Sequence, residues 1–147
     1  MNHSLLSVIA GLGASLAIGL LSFMEANLGD VALLMAPFGA TAVLVFGVPD
    51  SPLAQPKNVI LGHLITAFIG VVFYTYFAPF TLALDTGLGV SAMLLSKTTH
   101  PPAGANPILI MLSGQSWGFL ITPVLIGAVV IVLVGKALNM LQNKYAS

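Results

Sequence analysis

Polar positions are so sparse along this chain that long apolar stretches, rather than amphipathic periods, define its elements. Apolar runs lie at about Leu5 to Phe23, Val31 to Val48, Val59 to Phe77, Leu82 to Ser96, His100 to Leu112 and Phe119 to Leu138. A helix that crosses the hydrocarbon needs about 20 mostly apolar residues, and several of these runs approach that length. The pattern predicts an all-α, polytopic transmembrane helical bundle of about six segments. The fourth and fifth runs are short, and the fifth opens with His100-Pro101-Pro102, which suits a segment that dips into the membrane rather than crossing it. The segment Pro49-Asp50-Ser51-Pro52-Leu53-Ala54-Gln55-Pro56-Lys57 holds three prolines and reads as a stiff, extended loop. No linker separates two soluble parts, so residues 1–147 are read as a single transmembrane domain.

Composition strengthens this reading. Apolar residues make up 58% and charged residues 5% of the chain, against about a quarter charged in an average soluble protein. Four lysines, no arginine and four acidic residues leave a formal charge of zero, so no basic face is available for nucleic acid. Cysteine is absent, which excludes disulfides and thiol chemistry. The first residues, Met1-Asn2-His3-Ser4, lack the positive start of a secretory signal, so the first run is read as a retained span. If all six runs cross and the N-terminus is cytoplasmic, Lys57, Lys97, Lys136 and Lys144 fall on the cytoplasmic side, with Glu25 and Asp30 opposite. That satisfies the positive-inside rule and predicts that both termini are cytoplasmic; a bacterial inner membrane is the expected location, although charge placement does not identify the host membrane.

Three blocks recur in the same order. Gly11-Leu12-Gly13-Ala14-Ser15 resembles Gly87-Leu88-Gly89-Val90-Ser91, and Pro37-Phe38-Gly39-Ala40-Thr41 resembles Pro102-Ala103-Gly104-Ala105-Asn106. Leu64-Ile65-Thr66 resembles Leu120-Ile121-Thr122, with Ile69-Gly70 and Ile126-Gly127 following. The chain then divides into repeats of about 5–77 and 82–138, each with three segments. An odd number of crossings makes the second half enter from the opposite side, the inverted arrangement of many secondary transporters, whose substrate site lies near the midplane.

The proline blocks carry the candidate chemistry. A residue before proline is pushed out of helical geometry, so His100 should be extended and a helix should start at about Pro101 or Pro102. The first amides of that helix, from Ala103, Gly104 and Ala105, are expected to lack carbonyl partners and to be approachable past small side chains. In the first half Pro37 either kinks one helix, the simpler reading for that proline alone, or starts a half-helix offering amides near Phe38, Gly39 and Ala40. Two oppositely inserted helix starts would form a small anion site without burying a lysine. Packing through Gly39 and Gly104 is the structural alternative.

Other polar residues read both ways. Lys97 is first a snorkelling interfacial lysine and second a charge that draws an anion to the inner mouth. His63 is first a satisfied interfacial histidine and second, with His100, a proton relay. Thr41 and Asn106 hold matched positions just after the two helix starts and could line a pathway, as could Asp85. No nucleophile constellation, metal-ligand cluster or phosphate-binding glycine motif is present, so neither an enzyme, a metal nor a cofactor is expected.

Ser96-Lys97-Thr98-Thr99-His100-Pro101-Pro102-Ala103-Gly104-Ala105-Asn106-Pro107 resembles the signature of the HPP family of integral membrane proteins. Ala36-Pro37-Phe38-Gly39-Ala40-Thr41 and Ser51-Pro52-Leu53-Ala54-Gln55-Pro56-Lys57-Asn58 are also similar to that family's pattern. The resemblance implies a transporter or channel for a small monovalent anion, nitrite first. It also implies four spans, fewer than the six runs unless the segments at Pro37 and His100 are partial. A pore for a small neutral solute and a non-transporting membrane subunit are the alternatives. At 147 residues the chain is small for a transporter, so a homo-oligomer within the lipid bilayer is expected.

Overall fold

The computed structural model describes residues 3–77 and 79–146. Six α-helices and no strand occur among them: α1 (His3–Leu28), α2 (Pro37–Ala42), α3 (Pro56–Tyr76), α4 (Leu82–Leu95), α5 (Asn106–Ser113) and α6 (Ile126–Ala146). Three helical stretches, His3–Leu28, Pro56–Tyr76 and Trp117–Lys144, are long and apolar enough to cross a membrane. Their outer faces are as apolar as their inner ones: Val8, Leu12, Leu16 and Phe23 on α1 are all well exposed. In lipid this costs nothing, because the solvent is itself hydrocarbon.

The two proline segments are partial helices. Residues 31–36 are not helical, and α2 starts at Pro37 and continues as a wider π turn, Val43–Gly47. Pro37 is therefore a helix start and not the kink that it suggests when taken alone. Glu25 on α1 explains how the non-helical stretch survives: its Oε2 accepts from the Leu33 and Leu34 amides at 2.8 and 2.9 Å, satisfying backbone donors that have no helix to serve them. In the second half a 3₁₀ turn, Pro101–Ala105, leads into α5. The proline loop is shorter than its composition suggests. Pro52–Ala54 form one 3₁₀ turn, and Pro56 is the first residue of α3, where a missing N–H costs no hydrogen bond. The run from Phe119 is interrupted at Thr122 (φ −128°, ψ 116°), which the following Pro123 pushes out of helical geometry.

Glycines decide how the partial helices pack. On α3, Gly62 and Gly70 flank Thr66 at four-residue spacing, one stripe along the helix. A Cβ on Gly62 would stand 2.9 Å from both the Thr98 carbonyl oxygen and His100 Cβ, and one on Gly70 would stand 3.1 Å from Pro107 Cα. On α6, Gly127 and Gly135 receive Phe38 and Val45 in the same way. α3 and α6 thus each hold the proline segment from the other half of the chain. Small residues let backbones approach where water cannot drive association.

Candidate functional site

His100 has φ −139° and ψ 98°, the extended geometry expected before a proline. This conformation, together with the α3 groove at Gly62, aims its imidazole inward. Thr41, in the first turns of α2, meets it: Thr41 Oγ1 lies 2.9 Å from His100 Nε2 and 2.9 Å from His63 Nε2. His63 comes from α3, and its ring stands at 64° to that of His100 with centroids 5.0 Å apart. Asn106 closes the group, with Nδ2 at 3.0 Å from His63 Nδ1, 3.1 Å from the His63 carbonyl and 3.1 Å from Thr66 Oγ1. At the other end His100 Nδ1 lies 2.8 Å from the Leu53 carbonyl. Thr41, His63, Thr66, His100 and Asn106 are all 0% exposed.

Two backbone carbonyls determine where the protons sit. The Leu53 carbonyl can only accept, so His100 Nδ1 carries hydrogen and, in the neutral ring, Nε2 is the bare acceptor. The His63 carbonyl likewise requires the Asn106 amide nitrogen to face it. That nitrogen shares two hydrogens among the carbonyl, Thr66 Oγ1 and His63 Nδ1 and can accept none, so the His63 hydrogen is on Nε2. Thr41 Oγ1 therefore accepts from His63 and donates to His100. The result is one directed chain of hydrogen bonds from His63 through Thr41 and His100 to Leu53, with Asn106 sharing two hydrogens among three acceptors at its other end.

The same geometry accommodates one extra proton. Protonated at Nε2, His100 needs an acceptor there, and Thr41 Oγ1 can serve if its own hydrogen turns away. The Pro37 carbonyl, 3.2 Å from Thr41 Oγ1, is in place to receive it. Thr41 then accepts from both imidazoles with its two lone pairs, and no hydrogen bond is lost. Proton uptake at His100, accompanied by one hydroxyl rotation, would make the neutral cluster singly positive.

Not every candidate residue joins this cluster. Phe38 is buried and meets the edge of the His63 ring, with centroids 5.4 Å apart and planes at 83°. Pro102 and Ala103 are buried beside His100, and Gly104 is half-buried. Gly39, Ala40, Pro101 and Ala105 face the outside of the chain. The free helix-start amides are corrected in part, because the chain closes tight turns there: Phe38 N donates to Met35 O, Gly39 N to Ala36 O and Ala103 N to His100 O, at 3.0–3.1 Å. A 3₁₀-type start uses the amides that an α-helical start would leave open. Lys97 is exposed and outside the cluster. It ends α4 with φ 54°, its amide bonded to the Leu94 carbonyl and the Thr98 amide to the Met93 carbonyl, a Schellman closure with lysine where glycine is usual.

Thr66 and the Leu53 carbonyl were not foreseen as site groups. Thr66 lay in a repeated block and at the centre of the Gly62-Thr66-Gly70 spacing, a signal that was available. A carbonyl has no sequence signature. Near Leu53 a polar cleft of about 850 Å³ opens, lined in part by Asp50, Ser51, Gln55, Asn139 and Asn143.

Long apolar helices bracketing two proline-started short ones, with a buried polar cluster where those two meet, define an α-helical integral membrane protein with a buried polar centre. Comparison with known proteins agrees and narrows the class. The chain belongs to the HPP transmembrane family, matching the description "HPP, transmembrane region" over residues 2–146. It is 35% identical over 147 residues to a transmembrane protein of Dictyostelium discoideum, covering 92% of this chain and 51% of that protein. A second transmembrane protein of the same organism is 33% identical over 139 residues, covering 88% of this chain and 45% of its own length. The chain thus spans about half the length of these curated relatives. No solved structure matches it.

Proposed function

We propose that the chain moves a small monovalent anion across the membrane, with nitrite the first candidate, and that the Thr41–His63–His100–Asn106 cluster is where anion and proton meet. The observation that carries this reading is the capacity of the cluster to take one proton at His100 without losing a hydrogen bond. A fully buried group of donors that becomes singly positive suits one negative charge, whereas a fixed lysine at that depth would cost about 2.5–3.5 kcal/mol on insertion scales. The cleft lined by Ser51 and Gln55 lies on the loop that carries Leu53, and on this reading it is the side from which a proton approaches His100. On this reading the matched segments form an inverted 3+3 arrangement with cytoplasmic termini, supported for the two proline segments by their reciprocal packing on α3 and α6.

Reconstitution into liposomes tests the reading. Nitrite uptake is expected above that of empty vesicles and is expected to rise with an inward proton gradient; uptake equal to empty vesicles rules out nitrite. Lys97→Gly removes a charge and relaxes a left-handed residue, so the variant is expected to fold at least as well as the parent. If Lys97 draws the anion in, uptake falls at low ionic strength and converges with the parent as salt screens the charge.

The outward Gly39, with open space where a Cβ would project, and its neighbour Ala40 form a small-residue face on which further copies can pack, so we also propose a homo-oligomer. Mass measurement of the intact assembly in nanodiscs is expected to give a multiple of the 15.2 kDa protomer. A single protomer excludes it.

A further inference from the structure

Asp85 takes no part in the cluster, yet it is 0% exposed on α4 and neither carboxylate oxygen has a hydrogen-bond partner. The adjoining Thr86 hydroxyl is also buried without a partner. Buried polar groups are almost always satisfied, and an intramembrane carboxyl with nothing to bond is expensive to keep for packing alone. Its position relates it to the cluster. A Cβ on Gly62 would touch Met93, and one on Gly89 would touch Thr66, so α3 and α4 run antiparallel in a defined register. Asp85, one turn from Gly89 on the same face of α4, therefore stands at the level of Gly70, one turn beyond Thr66. Thr66 is bonded to Asn106, whose own Oδ1 is buried and unpartnered.

Buried polar groups thus follow one another along α3. His100 packs against Gly62, Asn106 and Thr66 lie about 6 Å further along α3, and Asp85 lies beyond. The elements packed against α4 are α3, α5 and the turns Pro79–Thr81 and Pro101–Ala105. Their titratable side chains are those of α3: Lys57, Tyr74 and Tyr76, all exposed, and His63, which is committed to Thr41 and Asn106. His100 adjoins the second turn and is bonded to Thr41 and Leu53. No fixed cation faces Asp85 from these elements, so the simplest occupant for its free oxygens is a proton.

We propose that Asp85 is a second proton-exchanging site, which takes up and releases one proton on the far side of the Asn106 level from His100 and so couples anion movement to proton movement. The step is a bare transfer: one carboxylate oxygen gains a proton from hydronium, directly or relayed through a hydroxyl that is itself reprotonated, and returns it to water later in the cycle. For its substrate this rests on the anion-transport reading; for the proton it does not.

Infrared difference spectra of the reconstituted protein between acid and alkaline pH test the proton directly. A carbonyl band of a protonated carboxylic acid, present at acid pH and lost at alkaline pH, is expected in the parent, absent in Asp85→Asn and displaced in Asp85→Glu. Isotope-labelled aspartate silences Glu25, and the labelled band that disappears in Asp85→Asn is the one assigned to Asp85, since Asp30 and Asp50 remain in that variant. In liposomes Asp85→Asn is expected to lose proton-driven nitrite accumulation and to keep nitrite exchange at equal pH. No titrating band, or full proton-driven accumulation by Asp85→Asn, overturns the proposal. A titrating band assigned to Asp85 with no nitrite flux in the parent supports the proton site and sinks nitrite as its partner.

Discussion

Thr41→Val is expected to abolish proton-driven uptake and to destabilise the chain, while Thr41→Ser retains both. Valine fills the same space but removes the oxygen that accepts from His63 and donates to His100. An Nε2–H on one ring and a bare Nε2 on the other are then stranded in a site that is 0% exposed. Each stranded group costs about 1–3 kcal/mol, enough to lower the unfolding temperature in detergent visibly. Serine keeps the hydroxyl, so the contrast separates loss of a hydrogen-bonding atom from loss of volume. Uptake by Thr41→Val equal to that of the parent would remove the cluster from the mechanism and leave it a structural core.

Gly127→Ala is expected to destabilise the fold by about 1–3 kcal/mol through overpacking. Its Cβ would collide with the Phe38 ring, and it would stand 3.1 Å from the Leu33 carbonyl oxygen, which is backbone and cannot swing aside. Phe38 is 0% exposed and backed by His63, so the collision is passed into the polar cluster. Both stability and uptake are therefore expected to fall together. Gly104→Ala is the control: nothing lies within 4 Å of its Cβ position, and its unfolding temperature is expected to stay near that of the parent. Equal thermal stability of the two variants would mean that the α6 groove does not hold α2.

Much of this architecture is legible in the residue order, and for identifiable reasons. Pro37, Pro56 and Pro101 mark helix starts because proline lacks the N–H that a helix interior requires and restrains the residue before it. His100 is extended for the same local reason. Apolar runs locate the long helices because lipid leaves the backbone no partner but itself. What local reasoning misplaced was the amides. Whether a helix start leaves its donors free depends on whether the first turn is α or 3₁₀, and here Met35, Ala36 and His100 supply the carbonyls.

The site shows the same division. His63 read as a satisfied histidine and as a relay, and its geometry contains both, since its two nitrogens are bonded within a directed chain. Residue types named Thr41, His63, His100 and Asn106 as candidates, but these lie on three separate segments of the chain. Only the glycine grooves of α3 and α6, which set how closely each partial helix sits, bring them within hydrogen-bonding distance. The residue order by itself determined a membrane-embedded, all-helical chain with two proline-started partial helices, because composition and proline act through short-range physics. Tertiary structure alone decided that Thr41 stands between two histidines, that Leu53 and His63 carbonyls orient their protons and that Asp85 is left without a partner. Those outcomes depend on contacts between residues far apart in the chain, which no local pattern encodes.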